Sequence, residues 1–295
     1  MNLSAYGLLF LTSLLWGGNS VAGKLAMGHV SPMLLTSSRL GLALIVLVVI
    51  GRHHLKRERE AVRANLPLLF TLGLFGFTLF NVALYSALLF TSAVNTSIEQ
   101  AAIPMLIFIG NFLLFGQRVA WGQIAGFSLS VLGVVLTAAH GEPARLLALD
   151  VNRGDAIMLV ALLVYAAYTV MLRKRPPLHW LSLMTALTGL AFLSSLPFVF
   201  AEWAWGALLW PDAQGWAVIL YAGLLPSLVA QVFYIRGVEL IGANRAGLFI
   251  NLVPICGTLL AVAVLGEQVF AYHAAALALV LAGIALAEWS GRRLG

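Results

Sequence analysis

The chain has 295 residues, of which 61% are hydrophobic and only 9% are charged, and its mean hydropathy is +0.97. This composition excludes an ordinary soluble globular domain and indicates an integral membrane protein surrounded by membrane lipid. The formal net charge of +6 does not require a nucleic-acid partner, because the basic residues gather in a few short loops.

Ten apolar windows follow one another along the chain. A helix needs roughly 20 mainly apolar residues to cross the hydrocarbon core, and strand-like alternation is absent, so we expect an all-α membrane protein with ten transmembrane helices. Nearly the whole chain is committed to spanning. The predicted helices cover residues 4–26, 32–51, 66–89, 94–115, 119–139, 155–173, 179–200, 215–237, 244–265 and 270–290.

Basic residues set the expected orientation. Residues 52–59 (RHHLKRER) and 173–175 (RKR), with Arg118 and residues 292–293, all fall on one side of the predicted bundle. The positive-inside rule makes that side cytoplasmic. The first window has no basic n-region and no clear cleavage site, so it reads as a retained helix rather than a signal peptide. We therefore expect a multi-pass protein of the inner (plasma) membrane with both termini in the cytoplasm.

The chain also repeats itself at an offset of about 150 residues. Pro104 falls on Pro254, and residues 115–117 (FGQ) fall on residues 265–267 (LGE). Two repeats of five helices each are predicted, over residues 1–147 and 148–295, within one membrane domain. Because five is odd, the second repeat enters the membrane upside down, and inverted repeats of this kind are common in secondary transporters.

Several predicted helices carry polar or aromatic side chains at three- and four-residue spacing, which places them on one helix face. Such faces line a hydrated cavity, or they join helices through hydrogen bonds and packing without any substrate. Helix 3, for example, aligns Thr78, Asn81 and Tyr85 on one face. The candidate substrate-binding residues are Trp16, Asn19, Thr78, Asn81, Tyr85, Gln100, Tyr165, Tyr168, Gln231 and Asn251.

Three charged residues lie inside predicted helices near the outer surface: Lys24, Arg39 and Glu99. A charge near a helix centre costs at least ~2.5 kcal/mol unless it is paired or hydrated. Glu99 is therefore expected to form an ion pair with Arg39 or Lys24, which is either purely structural or serves as a gating or coupling site. Glu267 follows a glycine at a helix junction and is predicted to cap helix 10.

Pro104 and Pro254 occupy equivalent mid-helix positions in the two repeats. Each proline removes a backbone hydrogen bond, so a bend is expected at both sites. The two bends either let helices 4 and 9 flex during transport or are static features that shape a cavity. Both prolines are candidate gating positions.

The order of these features resembles a known family. Residues 16–24 (WGGNSVAGK), followed by Pro32 and Arg39, resemble the opening of the drug/metabolite transporter (DMT) superfamily, EamA type. Residues 242–254 (GANRAGLFINLVP) resemble the second-repeat pattern of that family. The likeness covers essentially the full length, and its length and apolar character are most similar to YddG-like exporters of aromatic amino acids. Gln117 departs from the glutamate that many members carry.

The resemblance implies a ten-helix carrier that works by alternating access through a central cavity between the repeats. The chain shows no catalytic motif, nucleotide loop or metal-ligand spacing, so no enzyme activity, cofactor or metal is expected. We therefore expect a secondary transporter that exports amino acids with aromatic or other apolar side chains, with a monomer sufficient for transport. A carrier for another metabolite or drug class, and a non-transporting receptor or assembly subunit, remain the alternatives.

Overall fold

A computed structural model describes residues 3–116, 121–142 and 152–291, and all regular structure in these residues is helical. Eight helices, α2 to α9 below, are long and apolar enough to cross a membrane, while α1 is 23 residues long and α10 is apolar over Ala271–Ala287. The all-α, ten-helix prediction is thereby confirmed. The helices are α1 (Leu3–Leu25), α2 (Pro32–Arg57), α3 (Leu66–Ala87), α4 (Ala93–Phe115), α5 (Trp121–Ala138), α6 (Arg153–Met171), α7 (Trp180–Ala204), α8 (Ala213–Ile241), α9 (Arg245–Leu265) and α10 (Ala271–Gly291).

Helix boundaries differ most from the prediction after α2. The apolar window ends at residue 51, but the helix continues to Arg57, and a further short helix covers Arg59–Ala64. Lysine, arginine and glutamate favour helix, so this polar segment continues the helix beyond the apolar stretch. Gln117 and the predicted repeat boundary at 147/148 lie outside the described residues.

Four of the helices depart from regular α-geometry at related places. In α3 a π-helical segment covers Leu74–Leu79, and in α8 another covers Leu225–Val229. In α4 the regular helix stops after Gln100 and resumes at Ile103, while α9 has a 3₁₀ segment over Leu248–Leu252. Mid-helix π and 3₁₀ segments are frequent at functional sites and hinges.

Both prolines explain the breaks beside them. Pro104 and Pro254 lie in the first turn of the segments Ile103–Phe115 and Val253–Leu265. A proline is tolerated in a first turn because the N–H it lacks would have no intrahelical partner there. Helices α4 and α9 are therefore interrupted beside these prolines, and the bends expected there remain a prediction.

The helices pack closely towards one end of the bundle, where α4 meets α9. The first half of α4 (Ala93–Gln100) packs on the last segment of α9 (Val253–Leu265), but the second half of α4 packs on α6 and the start of α9 packs on α1. Every residue from 93 to 99 is buried, whereas Met105 is the only buried residue of Ile103–Phe115. We call the side where α4 meets α9 the closed end and the side that holds the start of α1 the N-terminal end.

Glycines permit the closest contacts at the closed end. A methyl group added at Gly17 of α1 would lie 2.6 Å from the Gly257 backbone nitrogen of α9, and one added at Gly257 would lie 2.5 Å from the Ser97 hydroxyl of α4. Small residues let helix backbones approach closely in membranes. These two glycines bring three helices together at one point.

Helices α2 and α7 cap each other. Ser31 Oγ donates to Glu202 Oε2 at 2.6 Å, and the Met33 and Leu34 amides donate to the same carboxylate at 3.2 and 3.1 Å. At the other end, the His179 amide donates to Glu58 at 3.1 Å. Each helix therefore carries, near its C-terminus, the carboxylate that satisfies orphan amides at the start of its neighbour.

The linkers at the closed end are also tied together. Asp212 accepts from the Gly215 amide at 2.9 Å, which caps α8, and the His29 ring lies 2.7 Å away. The Gly215 N–H and the His29 ring hold the pKa of Asp212 below its usual value. The α1–α2 and α7–α8 linkers thus form one hydrogen-bonded surface.

Candidate functional site

Arg39 of α2 lies at the centre of a polar network that joins four helices. Its Nη1 donates to Asn19 Oδ1 of α1 at 2.9 Å, to Asn81 Oδ1 of α3 at 2.7 Å and to the Tyr85 hydroxyl, and its Nη2 donates to Ser227 Oγ of α8 at 2.7 Å. Tyr85 donates in turn to Asn19 Oδ1 at 2.9 Å. We call these five residues the Arg39 network.

The network holds a buried cation with neutral acceptors alone. Arg39 is 6% exposed, and within the described residues no carboxylate forms an ion pair with it. Its Nε has no hydrogen-bond partner there. Hydrogen bonds from a charged group contribute about 1.5–3 kcal/mol each, which offsets the cost of burial while the charge stays uncompensated. Within the described residues, the guanidinium charge is therefore balanced by no carboxylate.

Helical irregularity helps to build this network. Ser227 lies in the π-helical segment of α8, and its hydroxyl donates to the Ala222 carbonyl, five residues earlier, at 2.8 Å. Asn81 lies just after the π-helical segment of α3 and donates to the Phe77 carbonyl at 2.7 Å. The π-helical segment of α8 thus contains one acceptor for Arg39, Ser227, and the π-helical segment of α3 ends just before another, Asn81.

Aromatic side chains lie beside the network, in two facing groups. Trp16 of α1 donates to the Pro226 carbonyl at 3.0 Å, and its ring centroid lies 5.4 Å from that of Tyr234 on α8. Across the bundle, Tyr165 of α6 lies 4.8 Å from Phe80 of α3. Such amphipathic rings suit a ligand with one apolar and one polar end.

Two predicted site residues lie away from the network. The Thr78 hydroxyl pairs with Ala191 O and Ser194 Oγ of α7, each at 2.8 Å, so the prediction that it shares a face with Asn81 and Tyr85 is wrong. Because Thr78 lies in the π-helical segment, the regular α-helical spacing does not hold there. Tyr168 is 8% exposed and packs on the α3 backbone at Gly76, in the core between α3, α6 and α7.

Three other predicted residues are half-buried. Gln100 Nε2, at the break in α4, donates to Ser20 Oγ of α1 at 3.0 Å and so joins two helices. Gln231 lies one turn after Ser227 in α8, and Asn251 lies in the 3₁₀ segment of α9. The substrate-binding role predicted for these three residues remains a prediction.

The predicted ion pair of Glu99 with Arg39 or Lys24 is wrong. Lys24 Nζ donates to the carbonyls of Leu88 and Thr91 at 2.9 and 2.7 Å, so it caps the end of α3. Glu99 is fully buried, and neither of its carboxyl oxygens has a hydrogen-bond partner among the described residues. Helix spacing identified the buried charged residues. It could not predict that backbone carbonyls would accept from Lys24 or that Glu99 would lack a donor among the described residues.

The prediction that Glu267 caps helix 10 is also wrong. Its Oε1 and Oε2 accept from the amides of Ala93 and Val94 at 2.9 and 2.8 Å, so it caps α4 from the α9–α10 linker. A carboxylate at a helix N-terminus satisfies orphan amides and the helix dipole together. The residue type was correctly linked to capping, but the helix it caps lies 173 or more residues away in sequence.

Sequence reasoning missed several buried polar residues. Helix spacing did not select Ser227 and Tyr234 of α8, which are half-buried, or the buried carboxyl groups of Glu202 and Asp155. Asp155 is fully buried in the first turn of α6, and Thr91 Oγ1 donates to it. An acidic residue just after an asparagine N-cap signals a helix start, but nothing local signals its burial.

A separate apolar groove has a volume of about 140 Å³ and lies between α4 and α5. Phe108, Ile109, Phe112, Ile124 and Phe127 line it. None of the predicted site residues belongs to it.

Comparison with known proteins supports the same class. The EamA-like transporter family matches the chain twice, over residues 3–139 and 152–289. The chain is 23% identical to the uncharacterized transporter YyaM of Bacillus subtilis, over 97% of this chain and 94% of that protein. It is 25% identical to a probable terminal-alkyne amino-acid exporter of Streptantibioticus cattleyicolor, over 88% of this chain and 84% of that protein.

A solved crystal structure of a protein has the same fold. It matches with a TM-score of 0.66 and 22% identity, over 100% of this chain and 99% of that one. The relatives found by sequence are described as transporters or exporters and not as enzymes. The chain therefore belongs to the EamA-like transporter family, within the DMT superfamily.

Proposed function

We propose that this transporter exports amino acids with aromatic or other apolar side chains across the inner membrane by alternating access. The observation that carries the proposal is the buried Arg39 network, which offers a guanidinium with no carboxylate partner in the described structure. An amino acid supplies such a carboxylate. Trp16, Tyr165 and Tyr234 then lie where its side chain would pack.

The packing of the helices supports the proposed mechanism. Helices α4 and α9 pack on each other through Ala93–Gln100 and Val253–Leu265, which supports a conformation sealed at that end and open at the N-terminal end. With the N-terminal end in the cytoplasm, this conformation faces inward. Related interruptions in α4 and α9, and in α3 and α8, agree with two inverted repeats that rock about the Arg39 network.

A relative described as a probable amino-acid exporter supports the substrate class. A second class, phosphorylated or nucleotide-linked metabolites, is less favoured because the Arg39 network has a single basic group. Two or more basic groups are usual around a phosphate.

Counterflow in proteoliposomes tests the proposal without any imposed gradient. Vesicles loaded with unlabelled L-phenylalanine, L-leucine or L-glutamate receive the labelled amino acid outside, and the initial rate of exchange is measured. We expect saturable exchange of phenylalanine and leucine and little of glutamate, because a second carboxylate would be buried without a partner.

Trp16→Ala tests whether the aromatic side chains beside the Arg39 network contact the substrate. Trp205→Ala, a change to an exposed tryptophan, is the matched control. Losing the Trp16 ring should raise the half-saturation concentration for phenylalanine several-fold, while Trp205→Ala should leave it unchanged. Absence of exchange for every amino acid would move the function to another metabolite class or to a non-transporting role.

A further inference from the structure

The closed end contains a cluster of titratable groups that the Arg39 network does not include. Glu99 of α4 and Asp155 of α6 are both fully buried, and Thr91 links Asp155 by hydrogen bonds to Asn95, which lies one helical turn before Glu99. His140, after α5, has its Nε2 3.6 Å from Asp155 Oδ2 and a side chain 28% exposed. The cluster therefore extends from the sealed interior to the surface.

Hydrogen bonds fix which atom of Asp155 can take a proton. The Phe270 amide donates to His273 Nδ1 at 3.0 Å, so His273 carries its proton on Nε2, which lies 2.9 Å from Asn95 Oδ1. Asn95 Nδ2 then donates to Thr91 Oγ1 at 3.2 Å. Thr91 therefore has its own hydrogen free to donate to Asp155 Oδ1.

This chain makes Asp155 Oδ1 an acceptor and leaves Oδ2, the atom that faces His140, for a proton. Asp155 Oδ2 has no hydrogen-bond partner in the described structure. Glu99 is the second unpartnered carboxyl group. A charged carboxylate sealed from water without a donor is strongly disfavoured, whereas a neutral carboxylic acid is tolerated.

We propose that Glu99 and Asp155 form a proton-binding site whose protonation holds this end of the transporter closed. The proposal depends on the proposed function in one respect only, which is that it takes the proton as the ion coupled to transport. Asp155 Oδ2 gains or loses its proton through His140, and the loss of a proton from either carboxyl group leaves a charge in the sealed interface. Separation of α4 from α9 then admits water to that charge, so deprotonation opens the closed end.

Other ionisable groups around the pair come from every neighbouring element. Lys24 of α1 is held by backbone carbonyls, and Glu267 is held by the amides of α4. Neither forms an ion pair with Glu99 or Asp155 in the described structure. Other ionisable residues of these elements within the described ranges are Glu142 after α5, Arg153 of α6, which is exposed, and Tyr272 and His273 of α10.

Cysteine labelling tests the proposal without a known substrate. Ser97 lies at the α4–α9 contact and is 2% exposed. In a Cys256→Ala background, Ser97→Cys is reacted from the closed-end side with a membrane-impermeant methanethiosulfonate between pH 5 and pH 9. Phe90→Cys, which is exposed at the same end, corrects for the pH dependence of thiol chemistry itself.

We expect the corrected labelling rate of Ser97→Cys to rise about tenfold with pH, which corresponds to about 1.4 kcal/mol in the opening equilibrium. Glu99→Gln and, separately, Asp155→Asn should keep the rate low and independent of pH. Glu239→Gln, a change to an exposed carboxylate paired with Arg236, should leave the rise intact.

A rate that does not change with pH, or that rises equally in Glu99→Gln and Asp155→Asn, would overturn the proposal. A rate that responds to sodium at constant pH and not to protons would also overturn it. If labelling follows pH but no amino acid exchanges, the proposed function fails and the proton site stands. If amino acids exchange but labelling ignores pH, the reverse holds.

Discussion

At the scale of single residues, the buried charged side chains differ in the groups that form hydrogen bonds with them. Arg39 is surrounded by neutral side-chain acceptors, Lys24 by backbone carbonyls and Glu202 by backbone amides with Ser31. Among the buried carboxyl groups of the described residues, Glu99 lacks a donor for both oxygens and Asp155 for one. The charges satisfied by helix ends contribute to the fold, while the two proposals assign Arg39 to the ligand and Glu99 to a proton.

Arg39→Lys tests whether the guanidinium geometry matters beyond its charge. An ammonium group keeps the charge but cannot direct donors to Asn19, Asn81 and Ser227 in the planar arrangement that they accept. We expect amino-acid counterflow to fall about tenfold or more, because two or more charged hydrogen bonds are weakened.

Arg236→Lys is the matched control, because Arg236 is exposed and pairs with Glu239 within one helix. It should leave counterflow unchanged. Wild-type counterflow in Arg39→Lys would show that Arg39 acts only as a diffuse positive charge.

At the scale of helices, the most informative pair is α2 with α7. The buried Glu202 satisfies three donors at the start of α2, while Glu58 satisfies one amide at the start of α7. Buried donors left without an acceptor cost more than exposed ones, which water can satisfy. The two caps therefore make unequal contributions, although each occupies the same place on its helix.

Glu202→Ala should lower the free energy of unfolding by roughly 2–4 kcal/mol, since it orphans Ser31 and two amides at once. Glu58→Ala should cost less, because Glu58 and His179 are both partly exposed. Thermal unfolding of the purified protein in detergent, followed by intrinsic tryptophan fluorescence, measures both. Equal losses in the two variants would contradict the assignment of a buried cap.

The sequence allowed the helices to be counted and the proline breaks in α4 and α9 to be expected, because apolar length and missing amides act locally. It also selected Asn19, Asn81, Tyr85 and Arg39, since polar groups inside apolar helices are costly wherever they lie. It could not place partners between distant segments. Glu267 on Ala93 and Thr78 on Ala191 depend on the packing of helices and on a π-helical segment that no spacing rule predicts.

At the scale of the whole molecule, the two ends of the bundle have different packing. The closed end is held by the glycine contacts of α1, α4 and α9 and by the linker carboxylates, while the second half of α4 lies on α6 and the start of α9 lies on α1. Alternating access requires these two arrangements to exchange. The breaks beside Pro104 and Pro254 lie where each helix passes from the sealed end to the open one.

The most direct test of alternating access is a pair of distances measured by double electron–electron resonance between spin labels. One pair, Leu114 and Leu248, reports the N-terminal end, and the other, Phe90 and Phe270, reports the closed end; all four side chains are exposed. Alternating access predicts two populations at each end, which shift in opposite directions when L-phenylalanine is added. A single distance at each end, or a shift of both ends in the same direction, would contradict it.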